Sequence, residues 1–147
     1  EERDVHCLLY QGKYNLFNRE PEEEGILRQA KENGTGFIAF SPLAQGLLTN
    51  RYLNGIPDDS RIAKGGFLKK EALTDEVLKK IKALNELAIR RGQTLAEMAL
   101  AWILKDDLVT SVIIGASSVG QLADNLKAID NTAFSAEELK NIYQIVK

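Results

Sequence analysis

The sequence predicts an α/β protein built on parallel strands, and three observations carry that reading. Short apolar runs at residues 5–11, 36–40 and 112–114 have the length and composition of strands. Helical patterns fall between and after them, and such alternation means parallel strands joined by right-handed crossovers. Three parallel strands are few, because such sheets normally have neighbours on both edges and cover on both faces, so the pattern is that of part of a larger α/β fold.

The elements follow in order. Residues 5–11 form the first strand, with Cys7, Leu8, Leu9 and Tyr10 as its apolar body and Gly12 interrupting it. Tyr14 to Arg19 is a loop in which Asn15 and Asn18 tolerate unusual backbone angles. Pro21 followed by Glu22, Glu23 and Glu24 starts a helix, with acids at the positive end of its dipole. Ile26, Leu27 and Ala30 are its buried face, and Asn33-Gly34 stops it. The second strand, 36–40, ends at Ser41-Pro42. Residues 41–66 show no strong period apart from a short helical turn marked by Leu43, Leu47 and Leu48. A loop of that length is usually functional or disordered. Residues 74–91 form a long helix with Leu73, Val77, Ile81, Leu84, Leu87 and Ala88 on one face. Thr94 and Glu97 have capping-box spacing for the next helix, which buries Leu95, Met98, Ala99, Trp102 and Ile103. Lys105-Asp106-Asp107 ends it, and Val109 leads to the third strand. A helix over 118–128 follows, and Ser135 with Glu138 caps a last one whose apolar face is Leu139, Ile142, Ile145 and Val146.

Length and composition set the class. The 147 residues make one domain, with 44% apolar and 27% charged residues, as in ordinary globular proteins. A net charge of −2 argues against a nucleic-acid or anionic-membrane partner. No apolar run approaches the ~20 residues of a membrane span. The charged start, Glu1-Glu2-Arg3-Asp4, lacks a signal-peptide core. Cys7, the single cysteine, excludes an intrachain disulfide framework and fits a cytoplasmic location. Beside Leu8 and Leu9 it reads as a small buried hydrophobe.

The stretch 112–125 stands out chemically. Val112, Ile113 and Ile114 suit a strand covered on both faces. Gly115, Ala116 and Ser117 have little bulk, and Ser118 with Gln121 has capping-box spacing. A strand feeding a helix N-terminus through small residues is a ready anion site, and in (β/α)₈ barrels a phosphate site commonly follows strands 7 and 8. The same pattern also reads as no more than a well-capped helix after a strand.

Five motifs in order carry a resemblance that covers essentially the whole chain. They are Gln11-Gly12-Lys13-Tyr14-Asn15-Leu16; the run from Phe40-Ser41-Pro42-Leu43-Ala44-Gln45-Gly46 to Leu48; Arg51-Tyr52-Leu53-Asn54-Gly55-Ile56-Pro57; Met98 to Leu104; and Gly115-Ala116-Ser117 with Gln121 and Asn125. Together they resemble the aldo-keto reductase superfamily, especially bacterial members related to the β subunits of voltage-gated potassium channels. The resemblance implies the C-terminal half, from the sixth strand onward, of a (β/α)₈ barrel about twice this length. It makes residues 1–147 a single partial-barrel domain with three parallel strands and five to six helices.

It further implies NADP(H) at the barrel mouth. Gln11 would bond the nicotinamide carboxamide and Phe40 would lie against the ring. Ser41, Leu43 and Ala44 would line the pyrophosphate, and Arg51 and Arg61 would bring positive charge to the phosphates. Gly115, Ser117, Gln121, Asp124 and Asn125 would surround the adenosine end. Position 118 is serine where many relatives carry an arginine that clamps the 2′-phosphate, and a serine hydroxyl is the weaker partner. The family's catalytic aspartate, tyrosine, lysine and histidine come from the N-terminal half. His6 lacks the family's histidine context, and Tyr10, Tyr14, Tyr52 and Tyr143 have no lysine–aspartate pair at family spacing, so no catalytic residue is assigned. The implied parent reduces aldehydes or ketones by hydride transfer. Alternatives are a non-catalytic regulatory or interaction module, and a half-barrel that pairs with itself or with an N-terminal half.

Overall fold

The computed structural model describes residues 6–57 and 70–147. The elements are β1 (Leu9–Lys13), α1 (Glu20–Glu23), α2 (Ile26–Glu32), β2 (Gly36–Phe40), α3 (Asp75–Arg90), α4 (Leu95–Ile103), β3 (Ser111–Val112), α5 (Val119–Leu126) and α6 (Ala136–Val146). The strands form one parallel sheet in the order β1-β2-β3, as the alternation of elements requires. Short 3₁₀ turns at Ala44–Gly46, Asn50–Tyr52 and Lys127–Asp130 fill connections that carry no α-helix.

The sheet has one packed face and one open face. Residues opposite each other in a parallel ladder point to the same side. Gly12 registers with Ala39, and Ala39 with Val112, so these share a side with Phe37. Phe37 and Ala39 are fully buried against the helices. The other side carries Leu9, Gln11 and Lys13 in register with Gly36, Ile38 and Phe40. There Leu9 is 51% exposed, Phe40 36% and Ile113 48%. Residues 112–114 are therefore not covered on both faces as their composition suggests, because the described helices pack on one side only. β3 is correspondingly short, although Ile113 N–H still donates to the Ala39 carbonyl at 2.8 Å.

Local chemistry shapes the other differences. The first strand begins at Leu9 and runs through Gly12 to Lys13 rather than stopping before it. A Cβ at Gly12 would lie 2.7 Å from the Phe37 ring, which stacks on Tyr10 at 5.6 Å, so the glycine makes room for the rings instead of breaking the strand. Val5 lies outside the described residues. Cys7 is exposed rather than buried, because it precedes the edge strand where no neighbour covers it. The helix begun at Pro21 is split into α1 and α2 by Gly25, whose φ of 76° is left-handed. The expected caps form, Thr94 with Glu97 and Ser135 with Glu138 making capping boxes, and Thr74 also caps α3 by accepting from Val77 N–H.

The core is centred on Trp102, which no solvent reaches. Its ring lies 5.1 Å from that of Tyr14, and Tyr14 meets Phe37 edge-on at 6.3 Å. This aromatic chain joins α4 to the loop after β1 and to β2. Every residue of α4 from Met98 to Ile103 is buried, with Ile81, Leu84 and Ala88 of α3 and Ile142 of α6 in the same cluster.

Arg91, just beyond α3, ties down the segment before α6. Its guanidinium donates to Glu138 Oε1 at 2.6 Å and to the Asn131 and Ala133 carbonyls, and it stacks on Phe134 at 3.7 Å. Burial would raise the Glu138 carboxyl pKa, but the Ser135 N–H and Arg91 outweigh it and hold the carboxyl below its ordinary value.

Two outcomes follow. Gly12→Ala should destabilise the chain by about 1–3 kcal/mol in denaturant unfolding, because it overpacks Phe37. Glu138 contributes stability that is present above its unfolded pKa and is lost as pH falls through its depressed folded pKa. Arg91→Gln should flatten that acid-side loss in unfolding midpoints measured between pH 3 and 7.

Candidate functional site

Parallel strands deliver their following loops to one edge of the sheet, and that edge is where α/β proteins bind ligands. β2 ends at Phe40 and gives the loop beginning at Ser41, and β3 gives the turn at Gly115. Between them lies a cavity of 760 Å³. One wall is Ser41, Pro42, Leu43, Gln45, Gly46, Thr49, Arg51 and Tyr52, and the other is Ile113, Ile114, Gly115, Ala116, Ser117 and Gln121.

The first wall is strained. Ser41, Ala44 and Gln45 have φ values of 52°, 47° and 60°, in the left-handed region that non-glycine residues rarely occupy. The loop closes on itself through Gly46 N–H to the Leu43 carbonyl at 2.9 Å and Leu48 N–H to the same carbonyl at 3.2 Å. Thr49 Oγ1 donates to the Gly46 carbonyl at 2.7 Å and accepts from Arg51 N–H at 3.2 Å. Such backbone strain concentrates at ligand clamps.

The second wall is small and polar. Ser118 caps α5 by accepting from Gln121 N–H at 3.2 Å. The full capping box does not form, because the Gln121 side chain reaches one residue further. Its Oε1 accepts from Ser117 N–H at 2.7 Å and from Ser117 Oγ at 3.0 Å. A Cβ at Gly115 would meet nothing within 4 Å, so the space before it is open to another molecule.

The structure brings Ser41, Leu43, Arg51, Gly115, Ser117 and Gln121 to one cavity. Ala44 lies within the same loop without lining it. Gln11 and Phe40 are on the open sheet face instead. Asp124 is exposed and paired with Lys127 at 2.8 Å. Asn125 is buried, and its Nδ2 has no hydrogen-bond partner among the described residues. It sits one turn beyond Gln121 on the same side of α5. Arg61 lies outside the described residues. Ala116 lines the cavity as one of the small residues of that turn, and Pro42, Gln45, Gly46 and Tyr52 line it although the sequence assigns them no role. They sit inside the quoted motifs, but nothing in their side chains marks a ligand. Thr49 lies outside those motifs and could be found only from the fold.

Tyr14 has neighbours that sequence spacing does not reveal. Its hydroxyl donates to Glu22 Oε2 at 3.2 Å and accepts from Lys105 Nζ at 3.3 Å, with Lys105 also 4.3 Å above the Trp102 ring. Tyr143 and Arg19 reach the same carboxylate. Tyr14 is fully buried, and burial together with the Glu22 charge pushes its hydroxyl pKa far up. No group of His, Cys, Asp and Glu among the described residues could hold a metal ion, and no helix among them is long and apolar enough to cross a membrane.

A parallel β/α sheet with a strained loop and a helix N-terminus facing each other across one cavity defines an α/β protein of the barrel or doubly wound class. Comparison with known proteins names the family: the profile of the Aldo/keto reductase family matches residues 1–147, and the chain belongs to that family of nicotinamide-dependent oxidoreductases. It is 50% identical over 144 residues to L-glyceraldehyde 3-phosphate reductase of Escherichia coli strain K12, covering 95% of this chain and 42% of that protein. It is 40% identical over 129 residues to a probable voltage-gated potassium channel subunit beta of Arabidopsis thaliana, covering 86% of this chain and 39% of that one. Among solved structures, an aldo-keto reductase of Bacillus halodurans in its holo form superposes with a TM-score of 0.73 at 27% identity, covering 99% of this chain and 44% of that one. The glycerol dehydrogenase of Gluconobacter oxydans gives a TM-score of 0.75 at 26% identity, covering 94% and 42%. The fold is thus part of a (β/α)₈ barrel, and the chain spans about two-fifths of the length of these relatives.

The cavity also makes a structural expectation. Gly115→Ala should leave the thermal unfolding midpoint nearly unchanged, within roughly 0.5 kcal/mol, because the added methyl meets open space.

Proposed function

We propose that this chain supplies the nucleotide-binding part of an NADP(H)-dependent reductase of aldehydes or ketones. One observation carries the reading. The cavity joins the Ser41–Arg51 loop to Gly115, Ser117 and Gln121, residues far apart in sequence that the family resemblance assigns to one nucleotide. The residues fit such a group. Gly115 leaves a cradle that a larger side chain would fill, and Asn125 offers a buried donor with no described partner. Backbone groups of the strained loop and the N-terminus of α5 suit phosphate oxygens. Ser41, Leu43 and Ala44 then line the pyrophosphate, with Arg51 supplying charge. Ser117, Gln121 and Asn125 hold the adenosine end, with Asp124 at its rim. Gln11 and Phe40 share the open sheet face, where an amide and an aromatic ring suit a nicotinamide. The bound nicotinamide supplies the hydride.

The open sheet face argues for a second part. Leu9, Phe40 and Ile113 are exposed there, and Val119, Leu122, Leu126 and Ile129 form a further exposed apolar stripe. Closing an eight-stranded barrel over a three-stranded sheet takes five more strands, which a second copy of this chain does not provide. The occupant we propose is therefore an N-terminal half-barrel bearing the proton donor.

Titration of the chain with NADPH, followed by nicotinamide fluorescence, tests the cofactor reading. Saturable binding is expected, weakened roughly tenfold by Gln121→Ala and by Gly115→Ala, the latter with stability intact. A folded chain that binds no nucleotide overturns it. The 147 residues alone should oxidise NADPH with reactive aldehydes no faster than a Phe40→Ala control, and turnover should appear on adding an N-terminal half-barrel.

A further inference from the structure

We infer that Asn15 is a positioning residue that holds Ser41 in its left-handed conformation and so sets the shape of the cavity's first wall. The inference rests on the proposed nucleotide site for its functional consequence, while its geometry stands apart from that site. Asn15 is 1% exposed, and both its amide nitrogen and its oxygen are hydrogen-bonded. Nδ2 donates to the Ser41 carbonyl at 2.9 Å, and Oδ1 accepts from the Phe17 and Asn18 N–H groups at 2.9 Å each. The sequence reading treated Asn15 as a residue that tolerates unusual backbone angles. Its own φ is not positive; the unusual angle is at the residue it holds.

The logic is one of strain and anchor. A serine with φ of 52° is strained and needs the surroundings to impose it. A charge-neutral hydrogen bond in a buried setting offsets that strain, and an orphaned buried amide would cost more. The Ser41 carbonyl also accepts from Ala44 N–H at 3.1 Å, so its direction fixes the start of the turn that carries the two further left-handed residues, Ala44 and Gln45. The anchor itself is rigid. Tyr14, the preceding residue, is packed between Phe37 and Trp102 and hydrogen-bonded to Glu22, and its N–H donates to the Phe40 carbonyl at 3.4 Å. Besides Tyr52 and Leu43, which pack on the core and line the cavity, the core therefore reaches the Ser41 carbonyl through the Asn15 side chain.

Two variants separate the two halves of that side chain. Asn15→Asp keeps the acceptor for Phe17 and Asn18 but sets an oxygen against the Ser41 carbonyl. Asn15→Ser also keeps a short acceptor and no longer reaches Ser41. The readout is the NMR signature of positive φ at Ser41, from the intraresidue Hα–N coupling and NOE, with α4 amide shifts reporting an intact core. Loss of that signature in either folded variant, with NADP⁺ affinity lowered about tenfold by calorimetry, is the expected result. Retention of the signature, or its loss at unchanged affinity, overturns the inference. If the unaltered chain binds no NADP⁺, the cofactor reading fails, and the Ser41 signature alone decides whether Asn15 positions the loop. If Asn15→Asp does not fold, Asn15→Ser gives the answer.

Discussion

Everything in this structure hangs on the packing of Trp102 against Tyr14 and of Tyr14 against Phe37. These rings join the most buried helix, α4, to the central strand and to the loop after β1. Among the described residues β2 is the only strand with a partner on each side, so fixing it fixes the sheet. Its C-terminal end then launches one wall of the cavity, and β3, paired beside it, launches the other. The two tyrosine hydroxyls of the aromatic cluster are satisfied by one carboxylate, while Trp102 Nε1 is buried with no hydrogen-bond partner among the described residues. Glu22 takes hydrogen bonds from Tyr14, Tyr143 and Arg19, and Lys105 covers the remaining side of the Tyr14 hydroxyl. A buried polar group of this kind is tolerable because it is paired throughout.

The same packing explains what is left open. The buried apolar faces of the described helices lie on the Phe37 side of the sheet, where large aromatic side chains fill the space. The opposite side carries Leu9, Gln11, Lys13, Phe40 and Ile113 and receives no helix among the described residues. In a closed barrel that side is the interior, which is filled by layers of inward-pointing residues from every strand. Three strands can supply only part of each layer. The open face and the exposed stripe on α5 and the turn after it are thus consequences of a partial barrel.

Much of the architecture was legible in the residues. The 3.6-residue period of Val77, Ile81, Leu84 and Ala88 located α3, and Thr94 with Glu97 and Ser135 with Glu138 marked helix starts that form as capping boxes. β2 has the boundaries its apolar run and the Ser41-Pro42 stop predict. Two of the readings that needed correction share one cause. Cys7 and residues 112–114 look like buried strand from composition, yet composition reports the burial of a whole fold, and the edges and inner face of a partial barrel are uncovered. Of the site, the motif residues Ser41, Leu43, Arg51, Gly115, Ser117 and Gln121 came together in one cavity. The Gln121–Ser117 bond, in place of a full capping box, was not readable from spacing, because one helix N-terminus offers both partners at similar reach.

The sequence by itself determined the elements, their parallel order and the family, because periodicity, caps and short motifs are local properties written in consecutive residues. Tertiary structure alone decided which sheet face is packed, that Tyr14 lies between Lys105 and Glu22, and that Asn15 holds the Ser41 carbonyl. Those facts depend on groups distant along the chain meeting at a few ångströms, and such meetings follow from which surfaces exclude water together rather than from any local pattern.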